Sequence, residues 1–234
     1  IQTQENQAVI PVELSFVPEV AGSYKIALEV VPIDGELRKE NNRLETIITV
    51  RKGGLNVAYF DKYRPEQKFI RHVNSSDKIQ LDYYPVRSGG DLKTRLNPEL
   101  FDQGKYDVYI FGDVAASSFS KEIIEKLAAR IRNDRVGFLM TGGANSFGQG
   151  GWERTLLGRF LPVKLPLGKE AHSNKALKMV PTRLGLRDYV MRLDTPEKNK
   201  KAWADLAPMA GANTLQPKNA AVNILAESET DQLP

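Results

Sequence analysis

The fold is decided by the stretch VGFLMTGGANSFGQGG, which runs from Val136 to Gly151. Its apolar first five residues predict a strand covered on both faces, as in a parallel sheet. Five of the ten residues 142–151 are glycines, which permit positive φ angles and close approach of the backbone. Because ligands of open α/β sheets bind beyond the carboxyl ends of the strands, this loop is predicted to form part of a ligand site.

Strands and helices alternate around this stretch. Apolar runs predict strands at 55–60, 78–84 and 106–111, and helices are predicted after Pro65, after Ser120 and, as a short helix, around Trp152. This alternation predicts a doubly wound parallel sheet with right-handed crossovers. Asp61 and Asp113 each follow a strand, and we expect them side by side at the point where the strand order reverses.

The two ends of the chain carry other patterns. Residues 1–52 alternate apolar and polar side chains in strands predicted at 12–16, 24–30 and 44–50, as in part of an Ig-like sandwich. A short hinge at 52–54 separates them from an α/β domain predicted over 53–234. Near the other end, residues 185–193 fit a strand or a short helix, and residues 220–226 are predicted to form a final strand. The side chains predicted to cap the core are Trp203, Leu206 and Met209.

Composition excludes several classes of function. The net charge of +4 comes from lysines and arginines interleaved with acidic residues, so no nucleic-acid partner is predicted. The absence of cysteine removes disulfides and thiolate nucleophiles. No apolar run is long enough for a membrane helix, and the start at Ile1 instead of Met predicts a fragment of a longer protein. No cofactor is predicted.

The glycine-rich loop matches no known phosphate-binding pattern. It is neither a G-x-x-x-x-G-K-[ST] loop nor a G-x-G-x-x-G loop that opens a long helix, so a structural turn is favoured over an anion site. The candidate ligand-binding residues are those at the predicted carboxyl edge of the sheet: Asp61, Asp113, Gly142, Gly143, Asn145, Ser146 and Gly148.

Two enzymatic alternatives stay open at this stage. Ser146 and His172 would form a hydrolytic pair if the fold brought them together, although G-x-S-x-G is not satisfied. Asp61 and Asp113 would jointly hold Mg²⁺ or Ca²⁺, since these cations prefer carboxylate oxygens. The favoured interpretation is that each aspartate caps a neighbouring loop through backbone N–H groups.

Three stretches resemble the class I glutamine amidotransferase-like domain of large bacterial membrane proteins that often carry a von Willebrand factor A domain. They are YDVYIFGDV at 106–114, the helix after Ser120, and 140–152 followed by Leu161-Pro162-Val163. Glu40-Asn41-Asn42 and the strand that begins at Leu55 resemble the Ig-like, CARDB-type module that precedes it. The resemblance implies a flavodoxin-like fold after an Ig-like domain, on the extracytoplasmic (periplasmic) face of a membrane-anchored protein, in a chain cut at both ends.

The resemblance does not imply amidotransferase activity. Members of that family place a nucleophilic cysteine at the turn where this chain has Thr141-Gly142-Gly143, and the His-x-Glu pattern is missing after His172. The favoured hypothesis is therefore a pseudoenzyme, which binds a small ligand at the sheet crevice or contacts other domains of the same membrane protein or another protein. The alternatives are a hydrolase of another class and a purely structural spacer.

Overall fold

The computed structural model describes residues 14, 16, 18–36, 39–50, 54–75, 78–87, 96–165, 172–230 and 234. The chain divides into two compact units, Ile1–Gly54 and Leu55–Pro234. In the first unit, strands β1 (Gly22–Glu29) and β2 (Arg43–Val50) form an antiparallel pair in which Tyr24 lies opposite Ile48. The predicted strand at 12–16 and most of the hinge lie outside the described residues, so the Ig-like architecture stays a prediction.

The second unit is a mixed α/β structure built on a four-stranded parallel sheet. Its strands, in chain order, are β3 (Leu55–Asp61), β4 (Ile79–Pro85), β5 (Val108–Phe111) and β6 (Gly137–Met140). They are arranged in the order β4-β3-β5-β6. The chain therefore moves outward from β3 in one direction and from β5 in the other, which places a switch point between these two strands. The predicted parallel α/β sheet is confirmed.

One prediction about the sheet is wrong. The stretch before the glycine-rich loop does form β6, but β6 lies at an edge of the sheet and Leu139 is exposed. The strand that is buried on both faces is β3, where residues 57–61 are all buried. An apolar run alone does not distinguish a central strand from an edge strand, because both pack at least one face against a core.

The second unit contains three α-helices among the described residues, one of which begins at a side-chain cap. Helix α1 (Gln67–Arg71) continues into a 3₁₀ turn, His72–Ser75. Helix α2 (Lys121–Ala129) begins after Ser120, whose Oγ accepts the Ile123 N–H at 3.2 Å as an N-cap. It ends in a π turn, Arg130–Asp134, before a left-handed Arg135. Helix α3 (Pro196–Ala204) opens with proline in its first turn.

Two apolar clusters cover the two faces of the sheet. The larger contains Phe60, Phe111, Leu127 of α2 and the fully buried Trp152. The smaller packs side chains from the segment of α1 and its 3₁₀ turn against Val57, Tyr59 and Leu81. The helices thus lie on both faces of the sheet, which fixes the carboxyl ends of β3, β5 and β6 in one place.

Short elements follow β6. Two 3₁₀ turns, Trp152–Arg154 and Leu157–Arg159, replace the predicted short helix, and two more, Gly185–Arg187 and Tyr189–Met191, occupy the stretch predicted as a strand or helix. Two antiparallel ribbons are present: β7 (His172–Ser173) pairs with β9 (Ala212–Asn213), and β8 (Met179–Pro181) pairs with β10 (Ala226–Ser228).

Two predictions for this region fail. The final strand is 226–228 instead of 220–226, because Asn219 forms a local turn in which its Oδ1 accepts the Ala221 N–H at 3.0 Å. Trp203 is buried as predicted, but Leu206 and Met209 are exposed and do not cap the core.

Candidate functional site

The carboxyl ends of β3 and β5 are joined by a buried hydrogen bond. Asp61, the last residue of β3, is fully buried, and its Oδ1 accepts the backbone N–H of Asp113 at 2.8 Å. A Cβ at Gly112 would lie 2.1 Å from Asp61 Cγ, so only glycine fits before Asp113. The predicted proximity of the two aspartates at the switch point is present in the structure.

The second oxygen of Asp61 receives two more donors. Tyr59 Oη donates to Oδ2, and Arg64 Nε donates to the same atom at 2.7 Å. Burial raises the pKa of Tyr59, and the hydrogen bond and charge of Asp61 raise it further. Burial alone would lower the pKa of Arg64, but Asp61 and Tyr59 outweigh this effect and raise it. Tyr59 therefore stays neutral and Arg64 stays charged at physiological pH.

Asp113 ties the loop after β6 to the same edge. Its Oδ1 accepts the backbone N–H of Asn145, and its Oδ2 forms an ion pair with Lys62 Nζ. Gly143 crosses directly over this carboxylate with φ +138°, and a Cβ there would lie 2.4 Å from Asp113 Cγ. The glycine is required both by its backbone angle and by the close approach.

This pattern decides between loop capping and a cation site. Every carboxylate oxygen of Asp61 and Asp113 faces an N–H or O–H donor, whereas a divalent cation needs oxygen lone pairs free of such donors. Within the part of the chain that the structure describes, no group of three or more histidine, cysteine or acidic residues is placed to hold a metal ion. The two aspartates are buried and hold the edge together, as the capping interpretation predicts.

Ser146 and Gly148 belong to the interior of the loop. Ser146 is fully buried, and its Oγ donates to the carbonyl oxygen of Gly112 at 2.9 Å. The next residue, Phe147, adopts φ +51° and buries its ring in the core. His172 instead lines an open crevice. The Ser146/His172 hydrolytic pair is therefore wrong, because Ser146 is a buried hydrogen-bond donor and is not presented as a nucleophile.

The open space at this edge is a crevice of about 730 Å³. We call it the edge crevice; its polar lining comes from Arg64, Glu66, Thr141, the two glycines 142 and 143, His172 and Asn213. Thr141 is exposed, and its Oγ1 accepts a hydrogen bond from Arg64 Nη2 at 3.3 Å. Of the predicted ligand-binding residues, Gly142 and Gly143 line the edge crevice and the other five do not.

Sequence reasoning missed Asn213 and Arg64. Asn213 Oδ1 accepts the Gly143 N–H at 2.8 Å, and its Nδ2 donates to the Gly143 carbonyl at 3.1 Å. No local signal marks this contact, since the partners are 70 residues apart. Arg64 had a local signal in the sequence, since it is an opposite charge only three residues after Asp61.

A second, smaller cavity of about 200 Å³ lies between the two ribbons. Leu177, Met179 and Met209 line it, together with Lys175 and Ser173. It is smaller than the edge crevice and lies away from the carboxyl ends of the parallel strands, so it is the weaker candidate for a ligand site of this sheet.

Comparisons with known proteins leave the family open. No model of a known protein family matches the chain, and no curated protein is significantly similar to it in sequence. Among the described residues, no helix has the length and apolar character needed to cross a membrane.

Proposed function

We propose that residues 55–234 form a non-catalytic module that binds a small polar ligand in the edge crevice. We further propose that its fold is the flavodoxin-like one of class I glutamine amidotransferase-like domains. In this proposal the module follows an Ig-like domain on the extracytoplasmic face of a membrane-anchored protein. The observation that carries the binding function is the position of the edge crevice, beside the switch point of a parallel sheet, where ligands of such sheets bind.

Groups that line the edge crevice are held in place by hydrogen bonds and ion pairs within the protein. Arg64 is held by buried Asp61, and Gly143 is held on both its N–H and its carbonyl by Asn213. A site whose groups are already ordered loses little conformational entropy on binding. This preorganisation supports recognition of a ligand over a role as a passive spacer.

The lack of a cysteine at the turn after β6 supports a non-catalytic role. The chain contains no cysteine, and the turn after β6 presents Thr141 without a positive φ angle, unlike the strained elbow that exposes a nucleophile in α/β enzymes. Ser146 is buried. These observations support a protein that binds without transferring an acyl or amide group.

Two exposed aromatic side chains favour a second candidate function, the docking of a protein partner. Tyr63 and Phe69 flank the segment that supplies Arg64 and Glu66, and they are 85% and 69% exposed. Exposed aromatic residues are enriched at protein interfaces. If this second candidate is correct, replacing both residues with serine would abolish binding of another domain of the same protein. The same replacement would leave ligand binding in the edge crevice unchanged.

A thermal-shift panel of small polar compounds tests the binding function on the whole chain. A ligand at about 100 times its Kd adds roughly 2.7 kcal/mol to the free energy of unfolding, and each kcal/mol raises Tm by about 2 to 4 °C at this size. Thr141→Val, which changes one crevice wall, should weaken the response. Lys121→Gln, at the exposed start of α2 where the lysine side chain is 89% exposed, is the control. A response that survives Thr141→Val undiminished, or no response to any compound, would count against the proposal.

A further inference from the structure

The edge crevice contains hydrogen-bond donors that the protein itself does not use. Arg64 donates through Nε to Asp61 and through Nη2 to Thr141. Its Nη1 has no acceptor among the residues that the structure describes, and the side chain is 23% exposed. A guanidinium held on one edge and open on the other is a preorganised receptor for a planar oxyanion.

A second unused donor lies in the same crevice. Gly142 is buried, lines the edge crevice with φ +86°, and its backbone N–H makes no backbone hydrogen bond with another described residue. Its neighbours differ, since Thr141 N–H donates to Phe111 O and Gly143 N–H donates to Asn213 Oδ1. Because a buried backbone N–H without an acceptor costs free energy, this group gains from a ligand that supplies one.

The charges around the edge crevice set the charge of that ligand. Arg64 is paired with Asp61, and Lys62 is paired with Asp113, so these four groups sum to zero. Because these charges sum to zero before Glu66 is counted, a dianion is repelled more strongly than a monoanion that uses only the open donors. Glu66 also lines the edge crevice, but it is exposed, and its repulsion is weakened by water and salt.

From these observations we propose that the edge crevice recognises its ligand through a carboxylate group, which accepts from Arg64 Nη1 and from Gly142 N–H. The inference rests on the proposed binding function and adds the chemical class of the ligand. The ligand is a small carboxylic acid in its ionised form. His172, Thr141 and Asn213 face the remainder of the molecule.

The test is an NMR titration of the full chain labelled with ¹⁵N. The probes are three carboxylates (acetate, propionate and benzoate), their neutral amides (acetamide, propionamide and benzamide) and inorganic phosphate. The carboxylates should shift the Gly142 amide signal and bind at least tenfold more tightly than the matching amides. Arg64→Gln should reduce carboxylate affinity tenfold or more. Lys175→Gln, which removes a cation beside the smaller cavity, should leave carboxylate affinity unchanged.

Arg64→Lys separates loss of binding from loss of folding. Lysine retains the positive charge that pairs with Asp61, but it lacks the guanidinium nitrogen that is open to the crevice. The variant should keep Tm near that of the native chain and still lose carboxylate affinity. Amides that bind in the edge crevice as tightly as carboxylates, or phosphate that binds more tightly, would overturn this inference and leave the proposed function standing. If no probe shifts the NMR signals of the residues that line the edge crevice, the inference fails. The proposed function fails as well only if no compound in the wider thermal-shift panel raises Tm.

Discussion

Replacing Asp61 with asparagine should destabilise the α/β unit far more than removing an ordinary surface charge. The carboxylate is fully buried and accepts from Tyr59, Arg64 and the Asp113 N–H. Asparagine has nearly the same shape as aspartate, but its side-chain NH₂ group would face one of these three donors instead of accepting from it. The substitution also leaves Arg64 without a counter-charge. Breaking a buried pair costs about 3 to 5 kcal/mol. Because Arg64 is partly exposed and can regain water, we expect roughly 2 to 4 kcal/mol here.

Urea unfolding followed by tryptophan fluorescence measures this loss selectively. Both tryptophans, Trp152 and Trp203, are buried in the unit Leu55–Pro234 and report on that unit alone. The urea midpoint should fall in proportion to this loss, and a parallel thermal melt should show Tm lowered by about 4 to 16 °C, at 2 to 4 °C per kcal/mol. Asp205→Asn is the control, because Asp205 forms an ion pair with Lys201 in which both side chains are exposed, and such surface pairs contribute little to stability. A loss for Asp61→Asn no larger than that of the control would refute the view that this carboxylate holds the edge together.

Three further predictions concern the same edge. Gly143→Ala should leave little folded protein at 37 °C, measured by soluble yield and circular dichroism, because the new Cβ meets Asp113 at 2.4 Å; normal yield would contradict this. Asn213→Ala removes both hydrogen bonds to Gly143 and should speed exchange of the Gly143 amide proton at least tenfold while lowering stability by about 1 to 3 kcal/mol; unchanged exchange would count against it. Burial raises the pKa values of Tyr59 and Tyr106, so the unfolded chain loses these protons first, near the ordinary tyrosine pKa of about 10. The free energy of unfolding should therefore be level below that pH and fall above it, less steeply in Tyr59→Phe, and a flat profile to pH 11 would be inconsistent with buried neutral tyrosines.

The sequence was sufficient to predict the elements that depend on local chemistry. Alternating strands and helices, the Ser120 cap and the carboxyl-end positions of Asp61 and Asp113 all follow from periodicity, capping and strand ends, which act over a few residues. The edge position of β6 was missed because sheet order depends on pairing between distant segments. Leu139 is consequently exposed although it belongs to an apolar run.

The candidate site was predicted in position but not in detail. The glycine-rich loop does lie at the edge crevice, yet Ser146 turns inward to Gly112 and the aspartates are enclosed by donors. Whether a polar side chain faces a ligand or the protein interior depends on its neighbours in space, which a single sequence does not give. Asn213 shows this most clearly, since its contact with Gly143 spans 70 residues.

The most direct test of the central claim is a crystal structure of the full chain soaked with a library of small polar fragments. The account predicts bound fragments in the edge crevice, in contact with Arg64, Gly142 and His172, and carboxylates among them oriented toward the guanidinium. Fragments that bind only elsewhere, for example in the cavity between the two ribbons, with the edge crevice left to solvent, would contradict it.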